Sequence, residues 1–140
     1  MNFKINTSEK FTTVTPETDS LTDSLTAQLI KQLRAYMTKD VHNVIVNLKN
    51  VNHCGTECLE KISDLQDEFY ENNSSFVICE VQPNVMHLIQ KHEMEDMMNI
   101  TPTESEAWDI VQMEEIEREL LDGDEPLFNE SDDEDEDYDD

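Results

Sequence analysis

The 140 residues predict an α/β fold: a single domain on a small mixed, mainly parallel sheet with helices packed on it, followed by an acidic tail. Three observations predict it. Residues 44–48 are a short β-branched apolar run of the kind buried on both faces in a parallel strand, and residues 76–81 read as the next strand. Between and after them, apolar residues recur at helical spacing. Strands alternating with helices of this length imply right-handed crossovers over one sheet. Finally, residues 122–140 hold twelve Asp or Glu and no Lys or Arg, which separates them from residues 1–121.

In chain order, residues 3–8 and 11–15 are β-rich pieces, and the polar link Ser8, Glu9, Lys10 between them suits a hairpin. Leu25, Leu29, Ile30, Leu33, Tyr36 and Met37 fall on one helical face, with Asp19, Ser20 or Thr22 available as N-cap. After the strand at 44–48 a polar turn leads into a helix carrying Leu59, Ile62, Leu65, Phe69 and Tyr70 inward, ending near Asn72 and Asn73. The strand at 76–81 is followed by a helix opened by Pro83, with Val85, Leu88 and Ile89 inside. A last short strand is expected over 97–100. Thr103 followed by Glu106 matches a capping box for a helix through Ala107, Trp108, Ile110, Val111, Ile116 and Leu120, which Gly123 ends.

Net charge is −25, of which −13 belongs to the first 121 residues. The 122–140 segment has too few apolar groups to offset the entropy of ordering, and its like charges repel, so it is expected to be disordered, with Phe128 and Tyr138 its only anchors. The shortage of Lys and Arg argues against nucleic acid. No run approaches the roughly 18 apolar residues of a membrane span, and the N-terminus carries no long apolar stretch, so a cytoplasmic protein is expected. Cys54, Cys58 and Cys79, an odd count, suggest reduced thiols rather than a disulfide framework.

The stretch 44–59 is the most informative: a buried-type strand running through His53, Cys54 and Gly55 into a helix, with the hydroxyl of Thr56 where that helix begins. Helix N-termini present unpaired N–H groups and partial positive charge, which favour an anion such as phosphate. The plain alternative is that Thr56 only caps the helix.

From Met1 to about Leu121 the chain resembles STAS domains, and in particular bacterial anti-sigma factor antagonists. Their strand, turn and helix read D-L-S-x-V-x-x-(M/V)-D-S-S-G-L, and residues 47–59 run in the same order and spacing, with Leu48, Val51 and Leu59 matching outright. The strand at 76–81 with its helix from Pro83, and the segment from Thr101 to Val111, resemble the later parts of the family pattern. The resemblance implies a partner-switching role: binding of a histidine-kinase-like serine/threonine kinase that acts as anti-sigma factor, abolished by phosphorylation of the first Ser of the turn. Thr56 stands at that position. Gly55 replaces the Asp, Glu57 the second Ser and Cys58 the Gly, so an acceptor beside the hydroxyl is lost and a fixed negative charge gained. Gly55, Thr56, Glu57 and Cys58 are the expected partner-binding residues.

Other chemistry is weakly signalled. His53, Cys54, Cys58 and Cys79 do not form a paired zinc motif, and nothing basic in the neighbouring sequence would depress a thiol pKa, so neither metal nor redox sensing is expected. The chain shows no Gly-rich phosphate loop and no H-E-x-x-H or G-x-S-x-G, so no enzyme and no cofactor are expected. Met86, Met94, Met97, Met98 and Met113 read as core filler. His42, His87 and His92 read as surface or boundary residues, and Glu93, Glu95, Glu114 and Glu115 as solvated faces. Two other functions remain open: an acidic interaction protein on this scaffold without phosphoswitching, and a small-ligand or nucleotide sensor.

Overall fold

The structure is a computed structural model and describes residues 3–122. Its elements run β1 (Phe3–Thr7), β2 (Thr12–Pro16), β3 (Ser20–Leu21), α1 (Asp23–Arg34), β4 (Val44–Asn47), β5 (His53–Cys54), α2 (Thr56–Glu71), β6 (Phe76–Cys79), α3 (Pro83–Lys91), β7 (Ile100–Thr101) and α4 (Glu104–Asp122). The predicted hairpin is present: β1 and β2 pair antiparallel, with Ser8 closing the link through its amide and hydroxyl on the Phe11 carbonyl. The other pairings are parallel, giving the order β1-β2-β4-β6-β7. A mixed, mainly parallel sheet is therefore what forms.

Alternation along the central strands sends Val44, Val46, Phe76 and Ile78 to one face and Ile45, Val77 and Cys79 to the other. Helices α1, α2 and α3 cover the first face with Leu29, Leu33, Leu59, Ile62, Leu65, Phe69, Val85 and Ile89. Phe69 meets Phe76 edge-on at 5.2 Å between ring centres. Helix α4 covers the second face with Ala107 and Val111 against Phe11, Ile45, Val77 and Cys79. Cover on both faces is why β4 and β6 have no polar alternation.

The helix starts follow their signals. Of the three candidates Thr22 caps α1, its Oγ1 accepting from the Leu25 amide at 3.2 Å. Pro83 is the first residue of α3, and Thr103 Oγ1 accepts from the Glu106 amide at 3.2 Å. The helical face predicted through Tyr36 and Met37 is completed by a 3-10 turn, Ala35–Thr38.

Two local expectations are corrected. The strand expected over 97–100 is mostly a 3-10 turn, Glu95–Met97, and pairing starts only at Ile100. Gln66 explains this, because its side chain donates to the Met97 carbonyl at 3.0 Å and accepts from the Asn99 amide at 2.8 Å. Strand β6 stops at Cys79 rather than at Val81, since Glu80 has φ 54°, a left-handed conformation that ends a strand. Helix α4 forms as expected, and Trp108, Ile116 and Leu120 are exposed on it. Ala107, Val111, Glu114 and Arg118 share the sheet-facing arc at helical spacing.

The lower half of that arc is polar, and Glu114 and Glu115 are half-buried rather than solvated. Arg118 donates to Asn43 Oδ1 at 3.1 Å and to Ser75 Oγ at 2.8 Å, and Ser75 and Tyr70 both donate to Glu114. Asn43 donates to Glu115 at 3.0 Å. Burial alone would raise the Glu115 pKa, but the hydrogen bonds from Asn43 and Arg118 outweigh it and hold the carboxyl below its usual range.

The tail expected to be disordered, with Phe128 and Tyr138, lies outside the described residues from 123 onward, as does Gly123. Asp122, placed with the tail by composition, is the last residue of α4.

Candidate functional site

The turn predicted to carry function leaves the carboxyl end of β4, the usual functional edge of a parallel sheet. Asn47 shapes the exit: its Oδ1 accepts from the Lys49 amide at 2.9 Å, and its Nδ2 donates to Glu104 Oε1 at 2.9 Å. Val51, fully buried, ties down the loop, its amide donating to the Leu48 carbonyl. The chain then forms β5, which pairs in parallel with β3, Ser20 opposite His53 and Leu21 opposite Cys54. This two-residue ladder was not anticipated, because segments so short carry no periodicity. Asp19 reinforces it by accepting the Asn52 and His53 amides on its carbonyl and the Asn52 side chain on Oδ1.

Helix α2 starts immediately after. Gly55 is its N-cap, with extended backbone and no side chain to bond the first turn, and Thr56 is the first helical residue. The capping explanation of Thr56 therefore fails. A hydroxyl one position inside the helix has turned outward, and its Oγ1 lies 3.2 Å from His92 Nε2, at the C-cap of α3. Thr56 is half-buried, with Gly55, Glu57 and His92 exposed around it. Gly55 is not there for space or strain, since a Cβ would meet nothing within 4 Å and its φ is −91°. His92 was read as an ordinary surface residue, 36 positions from Thr56; no sequence signal links them.

Of the four expected partner-binding residues, Gly55, Thr56 and Glu57 lie at the surface of the turn. Cys58 does not: it is 3% exposed and packs into the core beside Thr26 of α1. The half-buried Cys54, on the other side of the Thr56 turn, packs against the same core cluster, and both thiols are free. The neighbouring Cys54 lowers the Cys58 pKa against the effect of burial, and Thr26 and the Lys61 ammonium lower it further, to about 7. The neighbouring Cys58, together with burial, pushes the Cys54 thiol up. The expectation that nothing basic stands near these thiols is thus corrected by Lys61, one turn along α2.

Cys79 does not join this pair, because it points to the opposite face of the sheet. There it lies with Glu80 and Glu104, donor atoms within 4.8 Å of one another, and burial together with the two carboxylates raises its pKa to about 12, a protonated thiol ill-suited to a metal. His53 is exposed and sits 3.7 Å from Asp19. Met94 and Met98 fill the core as expected, whereas Met97 and Met113 are exposed. His42 bonds Ser74 at 2.7 Å. A groove between α1 and α2, lined by Ala27, Ile30, Lys31, Arg34 and Lys61, lies apart from the Thr56 hydroxyl. Among the described residues no helix is long and apolar enough to cross a membrane.

Residues 7–107 match the STAS domain family. Among solved structures, a putative anti-sigma factor antagonist from Thermotoga maritima superposes with a TM-score of 0.69 at 14% identity, covering 79% of this chain and 94% of that one. A STAS domain protein of Planctomyces limnophilus gives 0.65 at 18%, covering 78% and 96%. The anti-sigma factor antagonist SpoIIAA in its unphosphorylated form gives 0.64 at 17%, covering 80% and 97%. The Bacillus SpoIIAA in its phosphorylated form gives 0.59 at 14%, covering 79% and 99%. No curated protein sequence matches the chain.

Proposed function

The chain belongs to the STAS domain family, and on that premise we propose that it is a non-catalytic cytoplasmic regulator of transcription of the anti-sigma factor antagonist type. Its Thr56 turn docks on a histidine-kinase-like serine/threonine kinase that serves as anti-sigma factor, and phosphorylation of Thr56 ends that contact. One observation carries this reading: the Thr56 hydroxyl faces outward from the first turn of α2, at the family's phosphorylated position, in contact with His92.

Physical chemistry supports the position. A phosphoryl group adds about −1.5 to −2 charge at neutral pH. At Thr56 it would meet the unpaired N–H groups and positive end of α2, a favourable place for an anion, and His92 is in reach as a further donor. The modified turn is thus stable in itself, while a partner packed against it would have to desolvate the phosphate. Glu57 works the other way, placing a carboxylate next to the hydroxyl that a kinase must bind. That SpoIIAA has been solved in phosphorylated and unphosphorylated forms supports a switch of this kind on this fold.

The decisive experiment measures binding of a candidate kinase-type anti-sigma factor to the intact chain, to Thr56→Asp and to a chain ending at Leu121. The expected outcome is that Thr56→Asp weakens binding at least tenfold, about 1.4 kcal/mol, while truncation has little effect. Loss on truncation alone would instead establish acidic docking without phosphoswitching, the reading that the Gly55 and Glu57 replacements favour. Incubation with the kinase and ATP should place phosphate on Thr56; phosphate on any other residue overturns the assignment.

A further inference from the structure

Helix α4 turns one side to the sheet and leaves the other with an unusual composition. Seven large apolar side chains are exposed among the described residues, and five of them, Trp108, Met113, Ile116, Leu120 and Leu121, belong to α4. Met113, Ile116 and Leu120 follow one another at i, i+3 and i+7, so they form one stripe on the side away from Ala107, Val111, Glu114 and Arg118. Each of the three is more than half exposed. A helix packed on a sheet ordinarily turns polar groups to water, and an apolar stripe rimmed by polar residues marks a contact surface. A groove runs along its flank between α4 and β7, lined by Met98, Ile100, Ile110 and Met113 together with Glu114 and Glu117.

Charge decides what covers the stripe. The exposed carboxylates of α4 are Glu106, Asp109, Glu117 and Glu119, and its one basic residue, Arg118, is turned to the sheet. Of the four, only Glu119 has a cation in reach among the described residues, Lys10 at 3.6 Å. We propose that this side of α4 docks a second protein through a basic amphipathic helix, apolar on one side and edged with Lys or Arg. Charge rejects two other occupants. A second copy would set one row of carboxylates against another, between chains of net charge −25. Residues 123–140 of the same chain hold eleven Asp or Glu and no Lys or Arg, and are repelled in the same way.

A cationic helix meets both demands of the surface. Its apolar side covers Met113, Ile116 and Leu120, whose spacing is that of the anchors by which one helix seats on another. A large apolar side chain from it fills the groove beside Ile110 and Met98. Its Lys or Arg stems lie along the apolar surface and carry their charges to Asp109 and Glu117. These carboxylates speed encounter with a cationic partner and select against anionic ones.

This surface is separate from the Thr56 turn. Helix α4 covers one face of the sheet, whereas α2 and α3 cover the other. A helix held on α4 therefore leaves Thr56 open, and the α4 contact does not rest on the function proposed for that hydroxyl.

The test uses the full-length chain and its single tryptophan, Trp108, which lies toward the amino end of α4 with its ring 5.6 Å from that of Phe11. The probe is a synthetic 14-residue helix with Leu on one side and Lys on the other, about 21 Å long against about 18 Å from Trp108 to Leu120. The expected result is a blue shift of Trp108 emission that saturates at one peptide per chain. Ile116→Gln combined with Leu120→Gln, both at exposed positions, should keep the unfolding midpoint and weaken binding at least tenfold. Ile5→Gln, exposed on β1, and Thr56→Asp should leave binding unchanged. Equal binding by the double variant, or by a peptide with Glu in place of Lys, overturns the proposal. Hydroxyl-radical footprinting of the unaltered chain repeats the test without a substitution: the peptide should shield Met113 and leave Met86 of α3 as open as before, and shielding that spares Met113 overturns the proposal. In sedimentation the free chain should be monomeric; a dimer lost in the double variant would assign the stripe to a second copy. Tighter peptide binding after Leu127→Ser and Phe128→Ser would assign it to residues 123–140. Either result overturns the proposal.

Discussion

At the scale of single residues, the Thr56 turn is defined by what replaces what. Gly55 caps α2 without a side chain and in a conformation any residue adopts, with open space where a Cβ would go. Gly55→Asp is therefore expected to stabilise the fold by a few tenths of a kcal/mol, since Asp exceeds Gly as an N-cap, measurable as a higher urea midpoint at unchanged slope. The same change restores the acceptor that the family pattern has there. Glu57→Ser removes the charge beside the hydroxyl, and phosphorylation of Thr56 should become several-fold faster in a kinase assay; a slower rate would show that Glu57 aids recognition. Here the sequence was informative about position and silent about environment. Residues 47–59 were enough to select Thr56, but His92 reaches it only because α3 ends beside the start of α2. Cys58 shows the converse: it was grouped with its surface neighbours, yet the helical turn carries it into the core.

At the scale of elements, α4 is the piece whose packing differs most from its pattern. Its apolar residues do not form one stripe, and half of its sheet-facing arc is built from Glu114 and Arg118, which meet Asn43 and Ser75 at the amino ends of β4 and β6. Removing Arg118 leaves these partly buried acceptors short of a donor, so Arg118→Ala should cost about 1–3 kcal/mol in chemical unfolding. Glu115 adds a pH dependence. Its pKa is lower folded than unfolded, so its stabilisation is fully present above the unfolded value of about 4.3 and is lost as pH falls through the folded value. The difference in stability between the unaltered chain and Glu115→Gln should shrink as pH is lowered from 7 to 3. An unchanged difference would show that the carboxylate charge is not what Asn43 and Arg118 hold. Patterning located α4 and its Thr103 cap, because both are local. It missed the polar half-face, because a Glu two turns from Ala107 reads as solvated until the strand ends it meets are known.

At the scale of the whole molecule, charge is the dominant feature. A net −25, twelve of it from residues 122–140, opposes compaction through self-repulsion. Raising salt, which shortens the Debye length from about 30 Å at 0.01 M to about 8 Å at 0.15 M, should relieve that repulsion. The thermal midpoint is expected to rise more for the full chain than for one ending at Leu121. An equal rise would mean that the acidic segment does not act on the stability of the domain.

The sequence by itself determined the α/β class, the mainly parallel sheet, the hairpin at its edge, the Pro83 and Thr103 helix starts and the candidate hydroxyl. Each of these is written in periodicity, in turn chemistry or in the spacing of one short motif, and so depends on residues close along the chain. Only the tertiary structure decided that β3 and β5 pair, that His92 reaches Thr56, that Cys58 turns into the core, and that Cys79 stands on the opposite face. Those relations join elements through packing on two sides of one sheet, and the positions they join share no local pattern from which contact can be read.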